Sequence, residues 1–150
     1  MELIIKSISK KHLKSAHRIY NYYIANSYSN FEEEKTTFKE FNKNHKNIIK
    51  NKFPYLVALY GEKVVGIAYL NKFREKSGYR FASENTIYVH KDHVNKGVGS
   101  KILNYWLKKY AKGNETIALC GYNAGFRCKG ENKNKQGLKY AKAVLKYRKY

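Results

Sequence analysis

Apolar positions recur along this chain with two periods, and the switches between them mark out its elements. Leu3, Ile4 and Ile5 read as a short first strand. Behind Ser9, a good helix N-cap, the residues Leu13, Ala16, Ile19, Tyr20, Tyr23 and Ile24 return at helical spacing. Thr37 and Glu40 form a Thr-x-x-Glu capping box at the start of a second helix, with Phe38, Phe41, Ile48 and Ile49 expected on its buried side. Pro54 ends the helical region. The apolar run from Tyr55 to Tyr60, the turn Gly61-Glu62 and the run from Lys63 to Leu70 predict a hairpin. A charged loop from Asn71 to Tyr79 follows. Thr86, Ile87, Tyr88 and Val89 then suit a buried strand, and Val98, Ile102, Leu103, Trp106, Leu107 and Tyr110 predict the apolar face of a third helix. Beyond a C-cap glycine at Gly113, the run from Glu115 to Cys120 predicts a fifth strand. Gly121 to Lys135 is turn-rich, and Leu138 to Tyr150 fits a strand or a helix equally. Alternating helices and strands imply an α+β (α/β) layer built on one mixed sheet, with residues 1–150 as one domain.

Composition narrows the class. The chain has 150 residues, of which 43% are hydrophobic, enough for a real core. Met1-Glu2-Leu3-Ile4-Ile5-Lys6 does not read as a signal peptide, and no run approaches membrane-spanning length. Cys120 and Cys128 have no zinc spacing and read as free thiols of a reducing cytosol, so the expected location is cytoplasmic and no metal is expected. The 31 lysines and arginines outnumber 11 acids and give a net charge of +20. That charge favours polyanions and would steer anionic ligands. The lysines are nevertheless scattered over nearly every segment, which fits a compositional bias better than a dedicated basic face. A nucleic-acid-binding module is the competing reading, since 15 tyrosines permit base stacking. No nucleic-acid motif supports it.

The stretch from Glu84 to Tyr110 carries the candidate chemistry. A strand, a turn with glycines at Gly97 and Gly99, and a helix make a phosphate-binding arrangement. The first helical turn presents unpaired N–H groups, and the helix dipole adds partial positive charge. A pyrophosphate would sit on these donors, with Lys96 and Lys101 adding charge. A plain strand-to-helix connection has the same spacing.

The order of these pieces resembles the GNAT superfamily of N-acetyltransferases, within it the phosphinothricin and methionine-sulfone acetyltransferase branch. The matching pieces are Ile19-Tyr20-Asn21, Asn30-Phe31-Glu32, Phe53-Pro54-Tyr55-Leu56-Val57-Ala58, Val64-Val65-Gly66, Ala68-Tyr69 and Phe73-Arg74. Gly78-Tyr79-Arg80, then Ser83 through His90 and Gly97-Val98-Gly99 complete the set. The resemblance implies a GNAT fold, with a mostly antiparallel central sheet flanked by helices. It also implies acetyl-CoA as cosubstrate and a small amino-acid-like amine as acceptor. In the family's terms, Ile87, Tyr88 and Val89 would offer backbone hydrogen bonds to the pantetheine arm. An N–H near Tyr88 or Val89 would face the developing oxyanion. Asn95, Lys96, Gly97, Val98, Gly99 and Ser100 would hold the pyrophosphate. Glu84 would be the general base. Arg74 and Arg80 would grip the acceptor's carboxylate or phosphinate, and Phe31 and Tyr79 would wall its pocket. Relatives are often dimers, which leaves a homodimer open.

Three departures from the family pattern stand out. Val94 occupies a position that usually carries Arg or Gln, and Ala82 one that usually carries Thr. After the fifth strand, Gly121-Tyr122-Asn123 runs straight into Ala124-Gly125-Phe126, so a helix of about three turns has no room. Asn123 would be a remnant of its start and a coenzyme neighbour. The expectation is reduced or absent turnover compared with a complete relative, and a degenerate acetyl-CoA-binding protein is the second enzyme-like reading.

Overall fold

The computed structural model describes residues 2–30, 32–72 and 83–110. Strand β1 (Leu3–Ser7) runs into a 3-10 turn (Lys10–His12) and then helix α1 (Leu13–Asn26). Ser9 caps the 3-10 turn rather than α1 itself, and its N–H donates to His12 Nδ1 at 3.1 Å. Leu13, Ala16, Ile19 and Tyr20 are buried along one stripe of α1, as their spacing predicts.

Helix α2 (Phe38–Lys50) starts at the expected capping box. The Thr37 N–H donates to the Glu40 carboxylate at 2.8 Å, and the Glu40 N–H returns to Thr37 Oγ1 at 3.3 Å. Its buried side is narrower than expected. Phe41 and Ile48 are buried, whereas Phe38 and Ile49 are 38% and 47% exposed. Phe41 and Ile48 fall on one line of the helix, and the other two stand off that line by roughly 60–80°. The segment entering α2 is tied to α1 by Asn21. The Thr36 N–H donates to Asn21 Oδ1 at 3.0 Å, and Asn21 Nδ2 donates to the Thr36 carbonyl at 2.8 Å.

Strands β2 (Tyr55–Tyr60), β3 (Lys63–Lys72) and β4 (Ser83–Val89) complete a sheet in the order β1-β2-β3-β4. The β1–β2 and β2–β3 pairs are antiparallel. Asn71 and Lys72, expected to open a loop, extend β3. Ala58 faces Gly66 but Leu59 faces Val64, so Val65 is an extra residue, a bulge in β3. Residues Tyr55 to Leu59 are all buried, because β2 is covered on both faces. One face packs Val57, Leu59 and Ile67 against Ala16, Ile19, Phe41 and Ile48 of α1 and α2. The other receives Val98 and Ile102, each 1% exposed, from the start of helix α3 (Val98–Tyr110). Leu103, expected on the apolar face of α3, is 42% exposed. It stands roughly 140° around the helix from Val98.

By internal contacts, Met1–Leu70 with Asn85–Ile102 form one compact unit, and Asn71–Glu84 with Leu103–Tyr150 form another. The expected fifth strand, the shortened segment after it, the tail and both cysteines lie outside the described residues. Among the described residues, no helix is long and apolar enough to cross a membrane, and no group of His, Cys, Asp and Glu is placed to hold a metal ion.

Candidate functional site

Strand β4 ends against the bulge of β3. The His90 N–H donates to the Val65 carbonyl at 2.8 Å. Backbone groups alternate sides along a strand, so the N–H and C=O of Val89 face the opposite edge. There the Tyr23 hydroxyl of α1 donates to the Val89 carbonyl at 2.6 Å. The Tyr23 ring stacks on Tyr88, with centroids 4.8 Å apart and planes at 25°, and Tyr20 meets Tyr88 edge-on at 5.8 Å. Burial raises the Tyr23 phenol above its ordinary value, so the hydroxyl keeps its proton and acts as donor.

The chain then turns. His90 Nδ1 accepts from the Asp92 N–H at 3.3 Å and caps a 3-10 turn (Lys91–His93). Asn95 and Gly97 take left-handed conformations, with φ of 59° and 74°. Such residues in a turn point successive N–H groups into a concavity that receives anions. The Lys101 N–H donates to the Gly97 carbonyl at 3.0 Å and closes the first turn of α3. The N–H groups of Gly97, Val98, Gly99 and Ser100 therefore have no acceptor within the helix.

The two glycines differ in kind. Gly97 requires its residue type for its backbone angle, and a Cβ there would meet nothing within 4 Å. A Cβ on Gly99 would make only an ordinary contact, 3.7 Å from Val89 Cγ2. The packing among the described residues gives no reason for glycine at 99. Among the described residues, the space beside Gly97 and the loose contact at Gly99 leave room for a ligand resting on main-chain donors, so the residues of this turn fit a bound diphosphate.

The side chains around the turn contribute less. Lys96 folds back, its Nζ donating to the Asp92 carbonyl at 2.8 Å. Asn95, Ser100 and Lys101 are exposed. Val94 is 43% exposed and offers the turn no donor. On the α1 side of the same strand end, a cavity of about 310 Å³ is lined by Arg18, Glu62, Lys63, His90 and Lys91 among others. Its three fixed cations against one carboxylate add positive potential at this end of the sheet.

A strand that delivers its backbone to an anion-receiving turn, with a helix rising from that turn, occurs in more than one family. Here one of them is singled out: the model of the acetyltransferase (GNAT) family matches residues 16–125. The chain belongs to the GNAT family of acetyltransferases.

Its relatives agree on the branch. A phosphinothricin N-acetyltransferase of Alcaligenes faecalis is 32% identical over 85 residues, which are 57% of this chain and 43% of that protein. The phosphinothricin N-acetyltransferase of Streptomyces viridochromogenes is 33% identical over 90 residues, 60% of this chain and 49% of that protein. The chain thus matches about half the length of these curated relatives or less. The crystal structure of a GNAT superfamily phosphinothricin acetyltransferase from Sinorhizobium meliloti, in complex with AcCoA, is similar with a TM-score of 0.69. It is 28% identical, over 79% of this chain and 62% of that one.

Within this GNAT chain, the structure brings together the end of β4, the turn 94–97 and the first residues of α3. Ile87 and Val89 are half-buried, and the Tyr88 side chain is buried among the tyrosines of α1. Glu84, at the start of β4, is exposed. Phe31, Arg74, Tyr79, Arg80 and Asn123 lie outside the described residues. The sequence reading missed two residues that shape the site. Tyr23 was legible only as a core position of α1. The signal that it does more is a hydroxyl where Leu or Phe would fill the same space. Gly66 was legible as a motif residue, without its reason: Ile102 and Val98 lie against it.

Proposed function

We propose that this chain is an N-acetyltransferase that moves an acetyl group from acetyl-CoA to the primary amine of a small amino-acid-like acceptor, of the phosphinothricin or methionine-sulfone type. One observation carries the reading. Asn95 and Gly97 are left-handed, the N–H groups at the start of α3 have no acceptor within the helix, and among the described residues nothing lies within 4 Å of where a Cβ on Gly97 would stand. Acetyl-CoA supplies a thioester carbonyl that a free amine can attack.

The chain's own residues have the following tasks in this reading. The N–H groups of Gly97, Val98, Gly99 and Ser100 hold the diphosphate. Strand β4 from Ile87 through Tyr88 to Val89 runs beside the pantetheine arm and offers it backbone hydrogen bonds, except through the Val89 carbonyl, which Tyr23 holds. The Val89 N–H faces the negative charge that develops on the carbonyl oxygen. The Glu84 carboxylate takes the proton of the acceptor ammonium, directly or through water. Arg74 and Arg80 hold the acceptor's acidic group, Phe31 and Tyr79 wall its pocket, and Asn123 borders the coenzyme. Support for the acceptor class comes from the two relatives named for phosphinothricin.

Calorimetry with acetyl-CoA tests the reading, together with thiol release in the presence of phosphinothricin or methionine sulfone. The native protein is expected to bind acetyl-CoA, Gly97→Val to lose binding, and Glu84→Gln to bind without turnover. A native protein that takes up no acetyl-CoA, yet binds single-stranded nucleic acid with steep salt dependence, contradicts it.

A further inference from the structure

The Val89 carbonyl and the His90 N–H belong to one peptide unit, and both ends of that unit are held. Tyr23 donates to its oxygen at 2.6 Å, and its N–H donates to the Val65 carbonyl at 2.8 Å. The donor on one side is a side chain of α1. The acceptor on the other is the carbonyl of the bulge residue of β3. Neighbouring rings fix the direction of the Tyr23 hydroxyl, with Tyr88 stacked at 4.8 Å and Tyr22 edge-on at 5.4 Å. The clamped peptide is the last one before the chain leaves the sheet for the turn.

We propose that Tyr23 is a positioning residue for the coenzyme: by holding the Val89 carbonyl it sets the plane of the last peptide of β4 and so fixes where the turn begins. The proposal rests on the acetyl-CoA reading above. A peptide held only through its N–H can rock about its flanking bonds, and a free carbonyl would compete for donors on the ligand. Two hydrogen bonds in series through one peptide also polarise it and strengthen each other.

Tyr23→Phe removes one oxygen and keeps the stacked ring. The dissociation constant and the KM for acetyl-CoA are expected to rise roughly three- to tenfold, the effect of one net hydrogen bond. The KM for the acceptor and kcat are expected to change less than twofold. The Val89 carbonyl carbon resonance is expected to shift, and the His90 amide to exchange faster with solvent. Equal acetyl-CoA affinity in the variant and the native protein overturns the proposal. So does a loss of thermal stability with coenzyme affinity intact, the signature of packing alone. If the variant does not fold, the native protein decides: adding acetyl-CoA must shift the Val89 amide and Tyr23 ring resonances, and no shift at either overturns the proposal. A native protein that does not bind acetyl-CoA overturns the functional reading and this inference together. Normal binding by both proteins overturns this inference alone.

Discussion

The δ1 methyl of Ile102 stands 3.0 Å from the point that a Cβ on Gly66 would occupy, with Val98 Cγ1 at 3.2 Å. The first turn of α3 therefore rests directly on the backbone of β3. Both residues are 1% exposed and have little room to withdraw. Gly66→Ala is expected to cost about 1–3 kcal/mol by overpacking. The measure is the urea midpoint at constant m-value. Ile102→Val in the same chain should restore part of the loss, since residues in contact do not act additively. An unchanged midpoint in the single variant would show that α3 is not seated on this glycine.

Gly99 separates folding from binding. A Cβ there makes an ordinary 3.7 Å contact with Val89 and sits in a helix, where alanine is favoured over glycine. Gly99→Ala should fold with undiminished stability. It should nevertheless weaken acetyl-CoA binding by about tenfold or more, equivalent to about 1.4 kcal/mol, because the new methyl enters the space before the helix donors. Native affinity in a folded Gly99→Ala protein would mean that no ligand approaches the backbone there.

Val94 offers a gain instead of a loss. It is 43% exposed beside the turn and contributes no donor. Val94→Arg is expected to tighten acetyl-CoA binding by about three- to tenfold through a charge-assisted contact to phosphate. That gain should shrink as salt is raised, because the site is open to solvent. Titrations at low and high ionic strength check both statements. A gain that is absent at low salt would place the phosphates elsewhere.

His12 links stability to pH. Its Nδ1 accepts the Ser9 N–H at 3.1 Å, and a backbone N–H can only donate, so the folded state holds this nitrogen unprotonated. Burial, then the charges of Lys6 and Lys11, push the imidazole below its ordinary value of 6.5. The unfolded chain therefore binds a proton at higher pH than the folded one. The contribution of His12 is complete above about 6.5 and is lost as pH falls from there towards the lower folded value. Urea midpoints at pH 7.5 and 5.5 should differ more for the native protein than for His12→Gln. Equal pH dependence in the two proteins would show that this histidine is not held neutral.

Much of the scaffold was legible because local chemistry and periodicity both favoured it. The Thr37–Glu40 box, the Gly61 turn and the apolar runs of β2 and β3 each contain their own instruction within a few residues. Burial was less legible. Phe38, Ile49 and Leu103 are as apolar as their neighbours, and which of them faces the core depends on where the helix lies. The turn around Gly97 could be named as a candidate anion site from residue types alone. The different reasons for Gly66, Gly97 and Gly99 could not, because a glycine looks the same in a sequence whether it serves packing, backbone angle or a ligand.

The sequence by itself determined the order of helices and strands among the described residues and the family, and it singled out the segment proposed to hold a coenzyme. These follow from short-range pattern, which each stretch carries without its neighbours. Only the tertiary structure decided that Tyr23 reaches Val89, that the bulge at Val65 meets His90, and that α3 closes on Gly66. Each of these joins residues far apart along the chain, and their contact exists only once packing has brought the elements together.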